Sequence, residues 1–344
     1  VSMPSKTDIL SGEDAASIER AAVLLRAGEL VGMPTETVYG LAANALDEAA
    51  VAKVFEAKAR PSFDPLIVHV PSAQQAAELV VFDETARRLA EAFWPGPMTL
   101  VLPRKKNEQG QPFVPDLVTA GLDSVGLRVP DHPVALALLS ASGCPLAAPS
   151  ANRFGSISPT LARHVVDELD GRVAAVLDGG PCDRGVESTV VRVSDQGVEV
   201  LRLGALAVEQ IEAVVGQRVE VRRPSSSPGR ESSGQALPSP GLTERHYAPG
   251  TPMRLLASAD ELSSHESGGR WALVCMGPVP DGAEAFAVLR NLSDSGDLSF
   301  AAAALFSTLR ELDGMGLDGI VALAVADEGI GKAINDRLKR GSAR

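Results

Sequence analysis

From Ser11 onward, apolar positions alternate between two periodicities. Ser11 to Asp14 has capping-box spacing, Ile18, Ala21, Ala22 and Leu25 then recur at helical intervals, and Gly28 supplies a stop. Short apolar runs without that period follow at 29–33, 66–70, 99–102, 125–129, 146–148, 174–177, 188–193 and 199–203, each of strand length. The run 66–70 is too apolar to be half-exposed. Helical stretches lie between them. Asp47 can cap a helix through about Lys58, with Val51, Val54 and Phe55 on its buried side. Residues 84–93 form another, ended by Trp94-Pro-Gly-Pro97, and a third lies near 133–142. Ser158-Pro159 reads as an N-cap plus N1 proline for a helix to about Leu169, and 208–215 completes the unit. Strands and helices interleave without a regular βαβ rhythm. The expected fold class is therefore α/β, a twisted mixed sheet rather than a pure Rossmann fold.

The pattern breaks at 223–250, where Pro, Ser and Gly fill more than half of the positions, so the segment reads as a linker. Its end regains an aromatic, a histidine and an arginine. A second unit begins at Met253, with strands at 253–256, 271–275 and 286–289. A helix follows through Leu298, Ala301, Leu305, Leu309 and Leu312, then a strand at 319–325 and a last helix ending near Leu338. The organisation expected is a catalytic unit over 11–222, the linker 223–250, and a small Rossmann-like parallel-sheet domain over 251–340. Gly314-Met-Gly316-Leu-Asp-Gly319 satisfies Gly-x-Gly-x-x-Gly, yet it leaves a helix and enters a strand, the reverse of the dinucleotide-binding order. It reads as a helix stop and turn. No Gly-x-x-x-x-Gly-Lys-Ser/Thr loop is present, which excludes an ordinary P-loop ATPase.

Composition narrows the function classes. The 344 residues suffice for two domains, each with its own core. At 45% hydrophobic and 22% charged, they read as a soluble globular chain. A net charge of −12 disfavours tight, direct binding of nucleic acid, which calls for a basic face. A local cluster of Lys and Arg can still hold a small anion. Cys144, Cys182 and Cys275 are odd in number and contain no Cys-x-x-Cys pair, arguing against a disulfide framework and a cysteine-rich zinc site. No run of about 18 apolar residues predicts a membrane span. Val1-Ser-Met-Pro lacks the basic-then-apolar pattern of a secretion signal, so the cytoplasm is the expected compartment.

Several stretches could carry chemistry. Pro34-Thr-Glu-Thr-Val-Tyr-Gly-Leu41 places two hydroxyls, a carboxylate, a phenol and a glycine at the end of a buried strand, where ligands of α/β sheets sit. Lys58 and Arg60 stand where a helix ends and a buried strand begins. Two residues apart, both can point into one cleft and hold phosphate or carboxylate, at about 1.5–3 kcal/mol per charge-assisted bond. The same pair could simply complement the helix dipole. His69, inside an apolar strand, reads on its own as a core histidine. Arg128 lies in Val125-Gly-Leu-Arg-Val-Pro130 and needs an anionic partner if buried. Pro149-Ser150-Ala-Asn152 follows a strand, so its side chains emerge at a sheet end.

With Lys58-Ala-Arg60-Pro61, Glu187-Ser-Thr-Val-Val191, Leu201-Arg-Leu-Gly-Ala205, His246-Tyr-Ala-Pro249 and Gly329-Ile-Gly-Lys-Ala-Ile-Asn-Asp-Arg-Leu338 added in order, the chain resembles the threonylcarbamoyl-AMP synthase family in its two-domain form. The resemblance implies a nucleotidyltransferase that joins L-threonine, bicarbonate and ATP into L-threonylcarbamoyl-AMP with release of pyrophosphate, the first step of a tRNA modification. It implies Lys58 and Arg60 as catalytic cations. It assigns Arg60, Asp64, Ser124, Ser150, Asn152, Ser158, Arg202 and Tyr247 to ATP. Thr35, Thr37, His69, Arg128, Ala148 and Ser188 fall to threonine, Arg128 facing its carboxylate. Asp64 departs from the family, which often has asparagine there, as do Ser124, commonly threonine, and Leu203, usually proline. Mg²⁺ is expected to arrive with ATP rather than on protein side chains, and a tRNA threonylcarbamoyl transferase complex to take the product. The linker is expected to fold back over the nucleotide as a lid.

Two other classes are worth weighing. A double-stranded-RNA-binding or translation factor would need a basic face, which the net charge opposes. A carbamoyltransferase of hydrogenase maturation would carry paired Cys-x-x-Cys motifs and further domains, which this sequence lacks.

Overall fold

One mixed sheet of eleven strands runs through the first unit of the computed structural model, which describes residues 6–222, 236–242, 246–264 and 268–343. Across the sheet the order is Asp8–Ser11, Ala175–Asp178, Val31–Met33, Gly40–Asn44, Leu146–Ala147, Ile67–His69, Ser124–Arg128, Met98–Pro103, Thr189–Ser194, Gly197–Arg202 and Glu220–Val221. Parallel and antiparallel neighbours are intermixed, as the irregular sequence rhythm implied: Ile67–His69 runs parallel to Ser124–Arg128 but antiparallel to Leu146–Ala147.

The expected helices form where apolar period and caps agree. Asp47 accepts from the backbone N–H of Ala49 and Ala50 to start Glu48–Lys58, and Asp83 caps Glu84–Phe93. Asp14 rather than Ser11 caps Ala15–Arg26, because Ser11 is drawn into the edge strand Asp8–Ser11. The helix expected to start at Ser158-Pro159 begins three residues later, as Ala162–Leu169. The Ser158 hydroxyl is turned inward to the Glu187 carboxylate instead of capping.

The second unit is a four-stranded sheet in the order Met253–Leu256, Gly319–Leu323, Trp271–Cys275, Val288–Asn291, parallel at every pairing. Helices Leu298–Asp313 and Gly331–Gly341 pack with it. The Gly-x-Gly-x-x-Gly stretch is the stop and turn between helix Leu298–Asp313 and strand Gly319–Leu323. The core of this unit is not closed on itself. Val38, Ile157 and Val186 of the first unit belong to the same buried cluster as Leu305, Phe306 and Leu309. The approach is close enough that a Cβ at Gly185 would stand 2.3 Å from the Ala302 carbonyl oxygen. Among the described residues, no helix is long and apolar enough to cross a membrane.

Candidate active site

The sheet brings the C-terminal ends of Val31–Met33, Ile67–His69 and Ser124–Arg128 to one place, with the loop after Leu146–Ala147 beside them. In parallel register His69 faces Arg128, and the Gly40–Ser150 bridge ties the two polar loops together. A cavity of about 50 Å³ opens there. Its lining includes Thr35, Thr37, His69, Arg128 and Ala148, together with Arg60, Ser150, Glu187, Ser188 and Arg202.

The Thr35–Thr37 side is a closed hydrogen-bond network. Thr35 Oγ1 lies 2.9 Å from Thr37 Oγ1 and donates to the Val38 carbonyl at 2.6 Å. Arg128 donates through Nη1 to Thr37 Oγ1 at 2.9 Å and through Nε to the Gly96 carbonyl at 3.2 Å. The anionic partner that a buried arginine demands is Glu36, whose Oε1 is 2.6 Å from Arg128 Nη2. Burial and the neighbouring Arg128 push the His69 pKa down to about 3. A neutral imidazole at physiological pH forms a wall of the pocket and is ill suited to general acid catalysis. The phenol of Tyr39 takes no part in the cavity. It donates to the Gly180 carbonyl at 2.7 Å, and its burial raises its pKa.

Lys58 and Arg60 are split by Ala59, which adopts a left-handed conformation (φ 51°) at the helix C-cap. The two cations then part company. Arg60 reaches the cavity, donates to the Pro65 carbonyl at 2.8 Å and pairs with Asp64 at 2.9 Å. Lys58, buried, donates its ammonium protons to the Ser150 and Asn152 carbonyls, so it fixes the Pro149–Asn152 loop from behind. Burial first and the Arg60 charge second push its pKa down to about 7. Arg202 donates to the Ser188 carbonyl at 2.9 Å, while the Ser188 hydroxyl is 2.8 Å from Thr99 Oγ1. Arg60, Arg128 and Arg202 bring three guanidinium groups to the cavity inside a chain of net charge −12, the first two paired with Asp64 and Glu36, and together they offer a small anionic ligand its donors.

Of the residues singled out from sequence, Thr35, Thr37, Arg60, His69, Arg128, Ala148, Ser150, Ser188, Arg202 and Tyr247 line the cavity. Lys58, Asp64, Ser124, Asn152 and Ser158 do not; they stand behind or beside those that do. Asp64 is wholly buried against Arg60, its carboxyl pushed up by burial against the pull of Arg60, Arg202 and Lys58. Ser124 lines a second small cavity with Ser239 and Pro240. Asn152 donates to the Arg153 and Ser156 carbonyls, and its Oδ1 is buried without a hydrogen-bond partner. Sequence reasoning passed over Val38, Ile67, Pro149 and above all Glu187, whose only signal was its place before Ser188.

Part of the lining comes from the linker. Pro240, Gly241, His246 and Tyr247 line the cavity, with 243–245 outside the described residues. The Pro240 carbonyl accepts from Arg202 at 3.3 Å, Leu237 N–H donates to Phe63 at 3.0 Å, and Ala248 N–H donates to Gly155 at 3.1 Å. His246 meets Phe154 edge-on at 5.8 Å, and Tyr247 stacks on Phe306 at 5.6 Å. Gly241 has φ 72°, and a Cβ there would stand 3.1 Å from Arg202 Nη1 and 3.2 Å from the Tyr247 hydroxyl. A side chain there would be strained and would press on both groups.

Comparison with known proteins places this arrangement. Residues 23–204 match the family model described as telomere recombination, and 206–343 match that of the threonylcarbamoyl-AMP synthase C-terminal domain. The chain is 42% identical to threonylcarbamoyl-AMP synthase of Bacillus subtilis, over 98% of this chain and 95% of that one. It is 40% identical to the Pyrococcus abyssi protein of the same name, over 94% of each. The crystal structure of P. abyssi Sua5 complexed with L-threonine superposes with a TM-score of 0.85 at 37% identity, covering 96% of this chain and 95% of that one. From both domains and over nearly its whole length, this chain belongs to the threonylcarbamoyl-AMP synthase family.

Proposed function

We propose that this protein is an L-threonylcarbamoyladenylate synthase, a nucleotidyltransferase that converts L-threonine, bicarbonate and ATP to L-threonylcarbamoyl-AMP and pyrophosphate in the cytoplasm. The observation that carries the reading is the mixed lining of one cavity. Hydroxyls and a buried arginine suit a hydroxy amino acid, and Arg60 and Arg202 suit a phosphate chain. That relatives are named for this product, and that one was crystallised with L-threonine, supports the same assignment.

Threonine enters with its carboxylate toward Arg128 and its side chain toward Thr35, Thr37 and His69. Ser188, also in the lining, would border the amine. Bicarbonate condenses with the amine to a carbamate, with loss of water. A carbamate oxygen then attacks the α-phosphorus, the bond from that phosphorus to the bridging oxygen breaks, and pyrophosphate leaves. No protein nucleophile is needed. The chain contributes orientation and fixed positive charge where negative charge develops. Arg60 and Arg202 hold the nucleotide directly, and Lys58 fixes the Ser150–Asn152 backbone beneath it.

A Mg²⁺ ion carried by the phosphates suits the residues present. The unpartnered Asn152 Oδ1 is the kind of hard oxygen such an ion takes, and the ion would neutralise phosphate charge. The linker residues Pro240, Gly241, His246 and Tyr247 stand over one part of the cavity. Acting as a lid, this wall would open to admit the nucleotide and close over the adenylate, keeping water from a hydrolysable product. A tRNA threonylcarbamoyl transferase complex is the expected consumer. Incubation with ATP, bicarbonate and each amino acid in turn, with mass detection of the acyl-adenylate, tests the reading. Absence of a threonine-dependent adenylate overturns it.

A further inference from the structure

Arg337 belongs to the last helix of the second domain, Gly331–Gly341, yet its guanidinium is spent largely on the first. It is 1% exposed. Nε donates to Glu187 Oε2 at 2.8 Å, and Nη2 donates to the Leu203 carbonyl at 2.8 Å. Nη1 is held by Asp336 of its own helix. The plane lies over the ring of Tyr247, 4.7 Å from its centroid.

All three first-domain and linker partners bear on the cavity. Glu187 is the one carboxylate among the described residues that line it. Leu203 follows Arg202, so its carbonyl marks the strand end from which Arg202 projects. Tyr247 is part of the linker wall. The other oxygen of Glu187 accepts from Ser158, which accounts for that residue's inward turn.

We propose that Arg337 is a positioning residue of the active site, a guanidinium supplied by the second domain that fixes Glu187, the Arg202 strand end and Tyr247 together. The cavity is then complete only with the second domain docked. The chemistry of arginine makes this specific. A planar fork can serve a carboxylate, a carbonyl and an aromatic face at once, whereas a lysine ammonium cannot keep all three directions. Glu187, in turn, offers a negative charge in the cavity to the amine end of an amino acid. That role rests on the reading of the substrate as threonine.

The electrostatics supply a readout that simple packing would not. Burial pushes the Glu187 carboxyl up, but the Arg337 and Arg202 charges and the Ser158 and Arg337 hydrogen bonds outweigh it, holding the group below its ordinary range. Arg337 is itself faced by Asp336, and Arg340 also lies over the ring of Tyr247, at 4.8 Å. Without Arg337, the carboxylate faces Arg202 alone among these cations and titrates higher. Activity that needs ionised Glu187 then fails at a higher pH.

The test uses the full chain as wild type, Arg337→Gln, Arg337→Lys and Glu187→Gln. Melting temperature, ATP affinity by calorimetry and adenylate formation against pH are read for each. Arg337→Gln is expected to weaken ATP binding about tenfold through misplacement of Arg202 and Tyr247. It should also move the acid limb of kcat/KM up by about one pH unit. Arg337→Lys should recover the acid limb but not the ATP affinity, and Glu187→Gln should remove the limb. A folded Arg337→Gln with wild-type ATP affinity and pH profile overturns the proposal. If that variant does not fold, a Glu187→Gln enzyme with the wild-type rate at every pH, or an Arg337→Lys enzyme with wild-type ATP affinity, overturns it. A wild type that binds ATP but makes no adenylate counts against the functional reading. The ATP affinities of the variants still decide the role of Arg337.

Discussion

Arg128 and Glu36 stand 2.6 Å apart, guanidinium to carboxylate, both almost wholly buried in the loop and strand end that form the amino-acid side of the cavity. The arginine expected to receive a substrate carboxylate already has one. A substrate must therefore share or displace this partner, and the pair holds the arginine ready in its absence. Removing one member of a buried pair leaves an uncompensated charge, which costs about 3–5 kcal/mol. Glu36→Gln is expected to lower stability by that order. Added threonine should restore more stability to the variant than to wild type, because its carboxylate replaces the missing charge and ligand binding stabilises the folded state. Thermal melts with and without threonine check this; equal shifts in the two proteins would place the substrate carboxylate elsewhere.

How much of this was visible in the chain alone differs residue by residue. Arg60 could be found only as one of a pair, because the end of an amphipathic helix and the start of an apolar strand mark Lys58 equally. The resemblance rather than the pattern made both ligand cations. Arg128 could be found because a charge within an apolar strand demands explanation. Its partner could not, since Glu36 sits in a polar stretch whose burial depends on a strand far along the sequence. Glu187 is harder still, its counter-charge lying 150 residues away in another domain. The strand Gly40–Asn44 was also hidden: Gly-Leu-Ala-Ala-Asn has no alternation and little β propensity, and pairing on both sides with Val31–Met33 and Leu146–Ala147 overrides that. Ser158-Pro159 carries a local helix-start signal that loses to the Glu187 carboxylate.

Lys58 offers a prediction with a definite sign. Its folded pKa is depressed to about 7, so the ammonium is charged below that pH and increasingly neutral above it. A bound polyanion favours the charged form. ATP binding at pH 8 should therefore take up a proton, and ATP affinity should weaken as pH rises through 7. Calorimetry in buffers of different ionisation enthalpy detects the uptake. For stability the sign is set by the same shift: between about 7 and the ordinary 10.5 the unfolded chain binds the proton and the folded one does not. The contribution of this group is thus present above 10.5 and lost as pH falls toward 7. Lys58→Met should for that reason cost little stability, while lowering activity.

Direct loss of the cations should be severe. Lys58→Ala and Arg60→Ala are each expected to lower adenylate formation by about a hundredfold, the effect of removing one preorganised electrostatic donor. They should do so differently. Arg60 faces the cavity, so its loss should raise KM for ATP. Lys58 holds the Ser150 and Asn152 carbonyls and carries a charge near the nucleotide, so its loss should lower kcat as well as weaken ATP binding. Steady-state rates against ATP separate the two, and near-wild-type rates from both folded variants would remove them from the phosphate site.

Serine should be a poorer but detectable substrate. It differs from threonine by one methyl, and a single methyl or methylene yields roughly 1–3 kcal/mol of discrimination. The hydroxyls of Thr35 and Thr37 bond to one another and to the chain, which leaves the pocket wall to reject by fit rather than by hydrogen bonding. Adenylate yields from the two amino acids in competition measure the ratio. Equal use would mean that the methyl group is not enclosed.

Ending the chain near Val221 removes the linker wall and Arg337 together. The resulting first domain should fold, since its sheet and largest core lie within it. It should be less soluble, because Val38, Ile157 and Val186 lose their cover. It should make little adenylate, or lose it quickly to water. A gentler change separates the lid from the domain. Gly241→Val in the full chain places a side chain against Arg202 Nη1 and the Tyr247 hydroxyl, at a φ of 72° that valine resists. Arg337 and the second domain stay in place. If the linker wall retains the product, this variant should form adenylate but release it to hydrolysis faster, seen as extra AMP and pyrophosphate per adenylate recovered. Full yield from the truncated chain, or a wild-type AMP ratio in a folded Gly241→Val, would mean that the wall over the cavity does not act as a lid.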